Sequence, residues 1–225
     1  MSTTTIPDED TRHRLLNAAG RVFAARGFQN ATVREICAAA EVNIASVAYY
    51  FRDKMGLYRA VVRQIRDDET RRFPIPDPIS HADPTERLFA FVRALLHRML
   101  NDAEANGWQV RLLMREVQQP TEAMEDIVKD HFSPILDQLC QNLAELGGES
   151  INPRAMTHLA LSVIGQCFHY RISEHAIHEL LSARDLTSSE IDIDELAVHI
   201  TSVTLAATCN AAFVKQQAKL RDLIP

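Results

Sequence analysis

Glycine is scarce, seven in 225 residues. With few strictly alternating apolar runs, this argues against sheets, while long stretches of 3.6-residue periodicity predict helices almost throughout. No apolar run approaches the roughly 20 residues needed to span a bilayer. The opening Met-Ser-Thr-Thr-Thr-Ile-Pro also lacks the basic and apolar regions of a signal peptide, so a cytoplasmic protein without a membrane partner is expected. Cys37, Cys140, Cys167 and Cys209 stand far apart with no C-x-x-C pair. They read as buried reduced thiols, with a redox sensor as the alternative. His169, His175 and His178 are spaced by six and three, which matches no metal site, and neither metal nor other cofactor is expected. Nucleophile elbow, P-loop and zinc motif are all missing, which sets an enzyme aside.

What is present begins at Thr32. Residues 32 to 54 read as two short helices joined by a tight turn, the grammar of a helix-turn-helix that reads DNA. Thr32 is a good N-cap, and Asn43 caps a second helix starting at Ile44. Ala45, Ser46 and Ala48 keep that helix slim enough for a major groove. Val47 and Phe51, at i and i+4, should face the preceding helices. Arg34, Ile44, Ala45, Ser46 and Tyr49 are then expected at base edges, and Thr32, Asn43, Tyr50 and Lys54 at phosphates. An ordinary core helix is the alternative on spacing alone.

Charge supports the DNA reading. Residues 11 to 66 hold ten Lys or Arg against three acids, a balance of +7, in a chain at −6 overall; from residue 73 onward there are 12 basic and 21 acidic residues. A positive field confined to one end suits a polyanion at that end only.

The run from Ala31 to Tyr58, with Leu15, Ala18, Ala19, Phe23, Gly27 and Phe28 before it, resembles the DNA-binding domain of TetR-family regulators. The runs Arg111 to Thr121 and Ile164 to Arg171 resemble the ligand domain of the CerR-type branch. One departure stands in the turn: the family usually has Gly where this chain has Glu41, a position where a left-handed backbone is expected to cost roughly 1 kcal/mol. Ala45, Ser46 and Ala48 also differ from many relatives, so no operator sequence is carried over.

The fold class expected is all-α: a three-helix DNA-binding domain over 1–53, a connecting helix over 54–72, a Pro-rich linker over 73–83, and a helical ligand-binding and dimerisation domain over 84–225. Four prolines between Phe73 and Pro84 mark the boundary. Asp83-Pro84 and Asn152-Pro153 are helix starts, and Pro134 should kink the helix it interrupts. Small and apolar residues in the last two long helices permit close approach, and the resemblance implies a homodimer through them on a near-palindromic operator.

His158, Ser162, Gln166, His169 and Ser173 share one helical face and need polar partners. Two readings stay open, a pocket for a small-molecule effector or hydrogen bonds across a dimer interface. The pocket reading names Trp108, Met114, Phe132, Ser162, Gln166, His169 and Tyr170. Arg111, Arg115 and Glu116 are expected to pair with one another, with an acidic ligand as the alternative. The reading overall is a ligand-responsive repressor, with an effector-independent architectural dimer as the first alternative, a helical enzyme as a remote one, and activation in place of repression open.

Overall fold

A computed structural model describes residues 7–76, 83–100, 107–147, 152–184 and 192–209. Among these the regular structure is helical, with no strand. The expected helix ends at Ala105 and Ala218, most of the 73–83 linker, and the Cys209 side chain lie outside the described residues. The chain folds as two compact units, residues 1–72 with 102–131, and residues 73–101 with 132–225. The chain therefore passes between the units three times, first at the Pro-rich segment, and the segment after the fifth helix belongs with the amino-terminal unit.

The first unit contains α1 (Pro7–Asn30), α2 (Val33–Ala40), α3 (Ala45–Phe51), α4 (Lys54–Arg72), α6 (Trp108–Gln118) and α7 (Met124–Ile127). Gly27 ends the first straight run of α1, as expected, in a backbone region open essentially to glycine alone (φ 78°, ψ 163°). Leu15, Phe23, Ile36, Leu57, Ile65 and Leu112 are fully buried and form its centre. Removing such side chains from water stabilises by about 1.5–3 kcal/mol each, which outweighs the weak intrinsic stability of helices as short as α2 and α3.

The second unit contains α5 (Pro84–Leu100), α8 (Ser133–Gly147), α9 (Pro153–Ile172), α10 (Glu174–Ser182) and α11 (Ile193–Cys209). Both expected caps are present: Asp83 Oδ1 accepts from Thr85 N at 2.8 Å, and Asn152 Oδ1 from Ala155 N at 2.9 Å. The stripe Leu88, Phe91, Leu95 and Met99, widened by Val92 and Leu96, is buried against Leu139, Leu143, Ala160, Val163 and Ile200. Arg87 is buried among them and donates to Asn142 Oδ1 at 3.0 Å and to Glu145, so its charge is compensated.

Pro134 disturbs its helix as a widened turn. Val128–Phe132 is π-helical, just before Ser133 and Pro134. A proline has no N–H for an α-helical bond, and its ring presses on the carbonyl four residues back; a wider turn relieves both.

Cys37 and Cys167 are buried and Cys140 half-buried, all as free thiols. Burial raises the pKa of each, Cys167 to about 12. Such thiols stay protonated and unreactive, which supports the structural reading over a redox sensor.

Candidate nucleic-acid interface

The geometry of α2 and α3 follows from three local features. Thr32 Oγ1 accepts from Glu35 N at 3.1 Å and starts α2; Asn43, expected to cap α3, instead accepts from Ala45 N at 2.9 Å in the turn before it, and the N-cap residue is Ile44, without a side-chain bond. Between them Glu41 stands at φ 55°, ψ 46°, the left-handed position expected for the turn. Its N–H still bonds to Ala38 O at 3.3 Å, and the next amide, Val42 N, bonds to Cys37 O at 3.0 Å. The turn closes in the usual way for a helix end even without glycine.

Val47 and Phe51 are buried, so α3 is fixed by its inner face. Its other face carries exposed Ile44, Ala45, Ala48 and Tyr49, with Ser46 half-buried beside them. Tyr49 is 76% exposed and Ile44 52%, which is costly for large apolar side chains unless they meet a partner. Tyr49 and Tyr50 meet edge to face at 4.8 Å. Arg34 is exposed on α2. The residues expected at base edges thus share the exposed part of the helix-turn-helix.

Of the residues expected at phosphates, Thr32 spends one acceptor on its cap and Asn43 one on the turn, while both stay exposed. Lys54 holds the protein to itself: its ammonium donates to Gln29 O at 3.3 Å and sits 4.6 Å from the Phe28 ring centre. Partial burial lowers its pKa. Lys54 therefore joins the start of α4 to the end of α1. Asp53 Oδ1 accepts from Gly56 N at 2.7 Å and stabilises the same junction, just after Arg52 at a strained φ of 74°. Neither Arg52's backbone nor the Lys54 tie was legible in the sequence.

The residues proposed for an effector pocket are divided between the two units. Trp108 and Met114 belong to the first unit, the other five to the second. Trp108 is buried beside Gly20, and a Cβ there would lie 2.2 Å from the indole. Phe132 and Tyr170 are half-buried, and Tyr170 packs at the edge of the second unit's core. On α9, Ser162 Oγ donates to His158 O at 2.8 Å and Gln166 Nε2 to Ser162 O at 3.3 Å. Ser173 Oγ pairs with His169 Nδ1 at 3.3 Å. Ser162, Gln166 and the Ser173–His169 pair thus each have a partner within the helix or at its end.

Arg115 and Glu116 also depart from expectation. Arg115 Nη1 donates to Ala24 O and Ala25 O at 3.3 and 3.1 Å. Buried Glu116 accepts from the Tyr58 hydroxyl at 2.6 Å and from Thr121 N and Oγ1 at 2.8 and 3.0 Å. Their partners lie on other segments of the unit, not on each other. Among the described residues no group of three or more His, Cys, Asp or Glu is placed to hold a metal, and no helix is long and apolar enough to cross a membrane.

A helix-turn-helix exposed within a stretch, residues 11–66, that carries ten basic residues against three acids, in a chain whose described residues form helices and no strand, has the makings of a DNA-binding regulator. Comparison with known proteins supplies the family. Residues 15–61 match the bacterial regulatory proteins of the tetR family, and residues 84–208 match the C-terminal domain of the HTH-type transcriptional dual regulator CecR. CecR of Shigella flexneri is 30% identical over 186 residues, 77% of this chain and 81% of that protein. The chain belongs to the TetR family of transcriptional regulators, with a C-terminal domain of the CecR type. Two solved structures share the fold. A TetR-like regulator from Rhodococcus sp. RHA1 has a TM-score of 0.62 at 20% identity, over 90% of this chain and 98% of that one. AibR, solved with isovaleryl coenzyme A and operator DNA, has a TM-score of 0.61 at 17% identity, over 86% and 97%.

Proposed function

We propose that this regulator works in the cytoplasm as a homodimeric repressor, bound to a near-palindromic operator and released by a small-molecule effector. The observation that carries the DNA half is the face of α3: Ile44 and Tyr49 stand in solvent next to small Ala45 and Ser46, on the basic part of the chain. In this reading Arg34, Ile44, Ala45, Ser46 and Tyr49 meet base edges and Thr32, Asn43, Tyr50 and Lys54 meet phosphates, with the phosphate contacts making affinity salt-dependent.

Dimerisation is supported by exposed aliphatic side chains on α9 and α11, the last two long helices. Leu161 is 49% exposed, Ile172 63%, Val198 54% and Val203 45%. A two-fold dimer through these helices would present two recognition helices to successive major grooves. Release by an effector is supported by the likeness to AibR, which was solved with both a small molecule and operator DNA. Coupling of about 1–3 kcal/mol between the two sites suffices to change occupancy substantially.

The test is binding of the purified protein to DNA from immediately upstream of its own gene, at physiological salt with excess nonspecific competitor. A competitor-resistant complex containing two copies of the chain is expected. Binding erased by competitor would overturn operator recognition, and a stoichiometric one-copy complex would overturn the dimer.

A further inference from the structure

A groove of about 680 Å³ opens within the first unit, between α1, α4 and the start of α6. That lies within the roughly 300–1,000 Å³ span of small-molecule sites. Four guanidinium groups border it, from Arg12 and Arg21 on α1 and Arg63 and Arg71 on α4. Two carboxylates, Asp67 and Asp68, face the same space. Both are already in ion pairs, Asp67 with Arg66 at 2.9 Å and Asp68 with Arg71. Positive charge is therefore in excess, and Arg63 has no ion pair among the described residues.

The rest of the lining is suited to an organic body. Trp108, Leu16 and Ala60 give it an apolar part, and Asn17 Oδ1, accepting from Gln64 Nε2 at 3.3 Å, marks a polar wall. One bordering residue also reaches the recognition helix: the Arg12 guanidinium lies 5.6 Å from the centre of the Phe51 ring, at the C-terminal residue of α3.

We propose that this groove binds a small molecule of nucleotide size through a diphosphate group. A single carboxylate meets one guanidinium, whereas a diphosphate offers several acceptor oxygens and at least two charges, matching the excess of arginine over aspartate. The apolar part of the lining then holds the organic body. The proposal deepens the effector reading above by naming a site and a ligand class, and its link to operator release rests on that reading.

The experiment is calorimetric titration of the full-length protein, without DNA, by ADP and separately by inorganic pyrophosphate. Saturable binding of both is expected, ADP the tighter because pyrophosphate lacks the organic body. Arg63→Ala should weaken ADP by about tenfold or more, since a lost charge-assisted contact is worth 1.4 kcal/mol at that ratio. Arg34→Ala, on the exposed helix-turn-helix, should leave ADP binding unchanged. Absence of saturable binding, or binding lost in Arg34→Ala and kept in Arg63→Ala, would overturn the groove assignment. A DNA titration with ADP present separates the two readings: ADP bound through Arg63 with operator affinity unchanged sustains the groove as a site and removes it as the effector site.

Discussion

The Tyr58 hydroxyl donates a 2.6 Å hydrogen bond to Glu116, joining α4 to α6 across 58 positions of sequence. Both residues are buried, Glu116 to 1% exposure, and the second carboxylate oxygen is taken by Thr121. Tyr58→Phe leaves Glu116 Oε2 without this donor. The expected cost is about 1–3 kcal/mol, read as a lower denaturation midpoint at neutral pH with an unchanged denaturant slope. An unchanged midpoint would show that water replaces the phenol.

The same pair gives a pH dependence. Burial, then the hydrogen bond and charge of Glu116, push the Tyr58 pKa well above its ordinary value of 10.0. The group is neutral and protonated in the folded chain, so its contribution is fully present below pH 10 and falls above it, where only the unfolded chain releases the proton. The loss from this group should approach about 1.4 kcal/mol per pH unit. Stability curves of the parent and Tyr58→Phe should therefore converge between pH 10 and 11, and parallel curves would show that the phenol ionises as freely in the fold as out of it.

Glu41 occupies a left-handed conformation that glycine enters without steric cost. Glu41→Gly should raise stability by about 0.5–1 kcal/mol, the relief of Cβ strain exceeding the added freedom of the unfolded chain. Thermal unfolding checks this, with operator affinity expected to stay the same because the turn's hydrogen bonds involve backbone alone.

What could be read from the sequence was what is local. The caps at Thr32, Asp83 and Asn152, the turn bond of Asn43, the break at Gly27, the strained Glu41 and the inward Val47 and Phe51 each depend on residues within about one helical turn. What could not be read was long-range pairing. Helical periodicity marks Trp108 as apolar but carries no sign that its neighbour is Gly20. Glu116 finds Tyr58, and Arg115 finds carbonyls of α1, for the same reason. On the polar face of α9, Ser162 and Gln166 each bond to a carbonyl four residues back, a local pattern that periodicity does not reveal.

Tyr49 and Lys54 separate recognition from folding. Tyr49 is mostly exposed and its described ring contact is to adjacent Tyr50, so Tyr49→Ala should lower operator affinity by about tenfold with little change in thermal stability. Lys54→Ala removes both the Gln29 bond and the Phe28 contact, and should lower stability together with affinity. Its affinity loss should be uniform across operator sequences, with a shallower salt dependence, whereas changes at Ile44 or Ser46 should alter base preference. Binding to a set of operator variants at two salt concentrations distinguishes these outcomes, and base preference altered by Lys54→Ala would move that residue from phosphate to base.

Gly20 and Trp108 test whether α6 belongs to the first unit in solution. The Gly20 backbone is close enough to the indole that an added Cβ would lie 2.2, 2.3 and 2.8 Å from three of its carbons, and a rigid ring cannot yield by changing its far end. Gly20→Ala must therefore displace Trp108. Alanine is the better helix former, worth about 0.5–1 kcal/mol over glycine at an unobstructed helical site, so a gain in stability is the result if α6 does not pack here. With the contact in place, overpacking should cost about 1–3 kcal/mol and outweigh that gain. Because Trp108 is the chain's one tryptophan, its emission reports the displacement directly: a red shift in native Gly20→Ala, with a lower unfolding midpoint, would place the indole against Gly20. An unshifted spectrum with raised stability would separate α6 from α1.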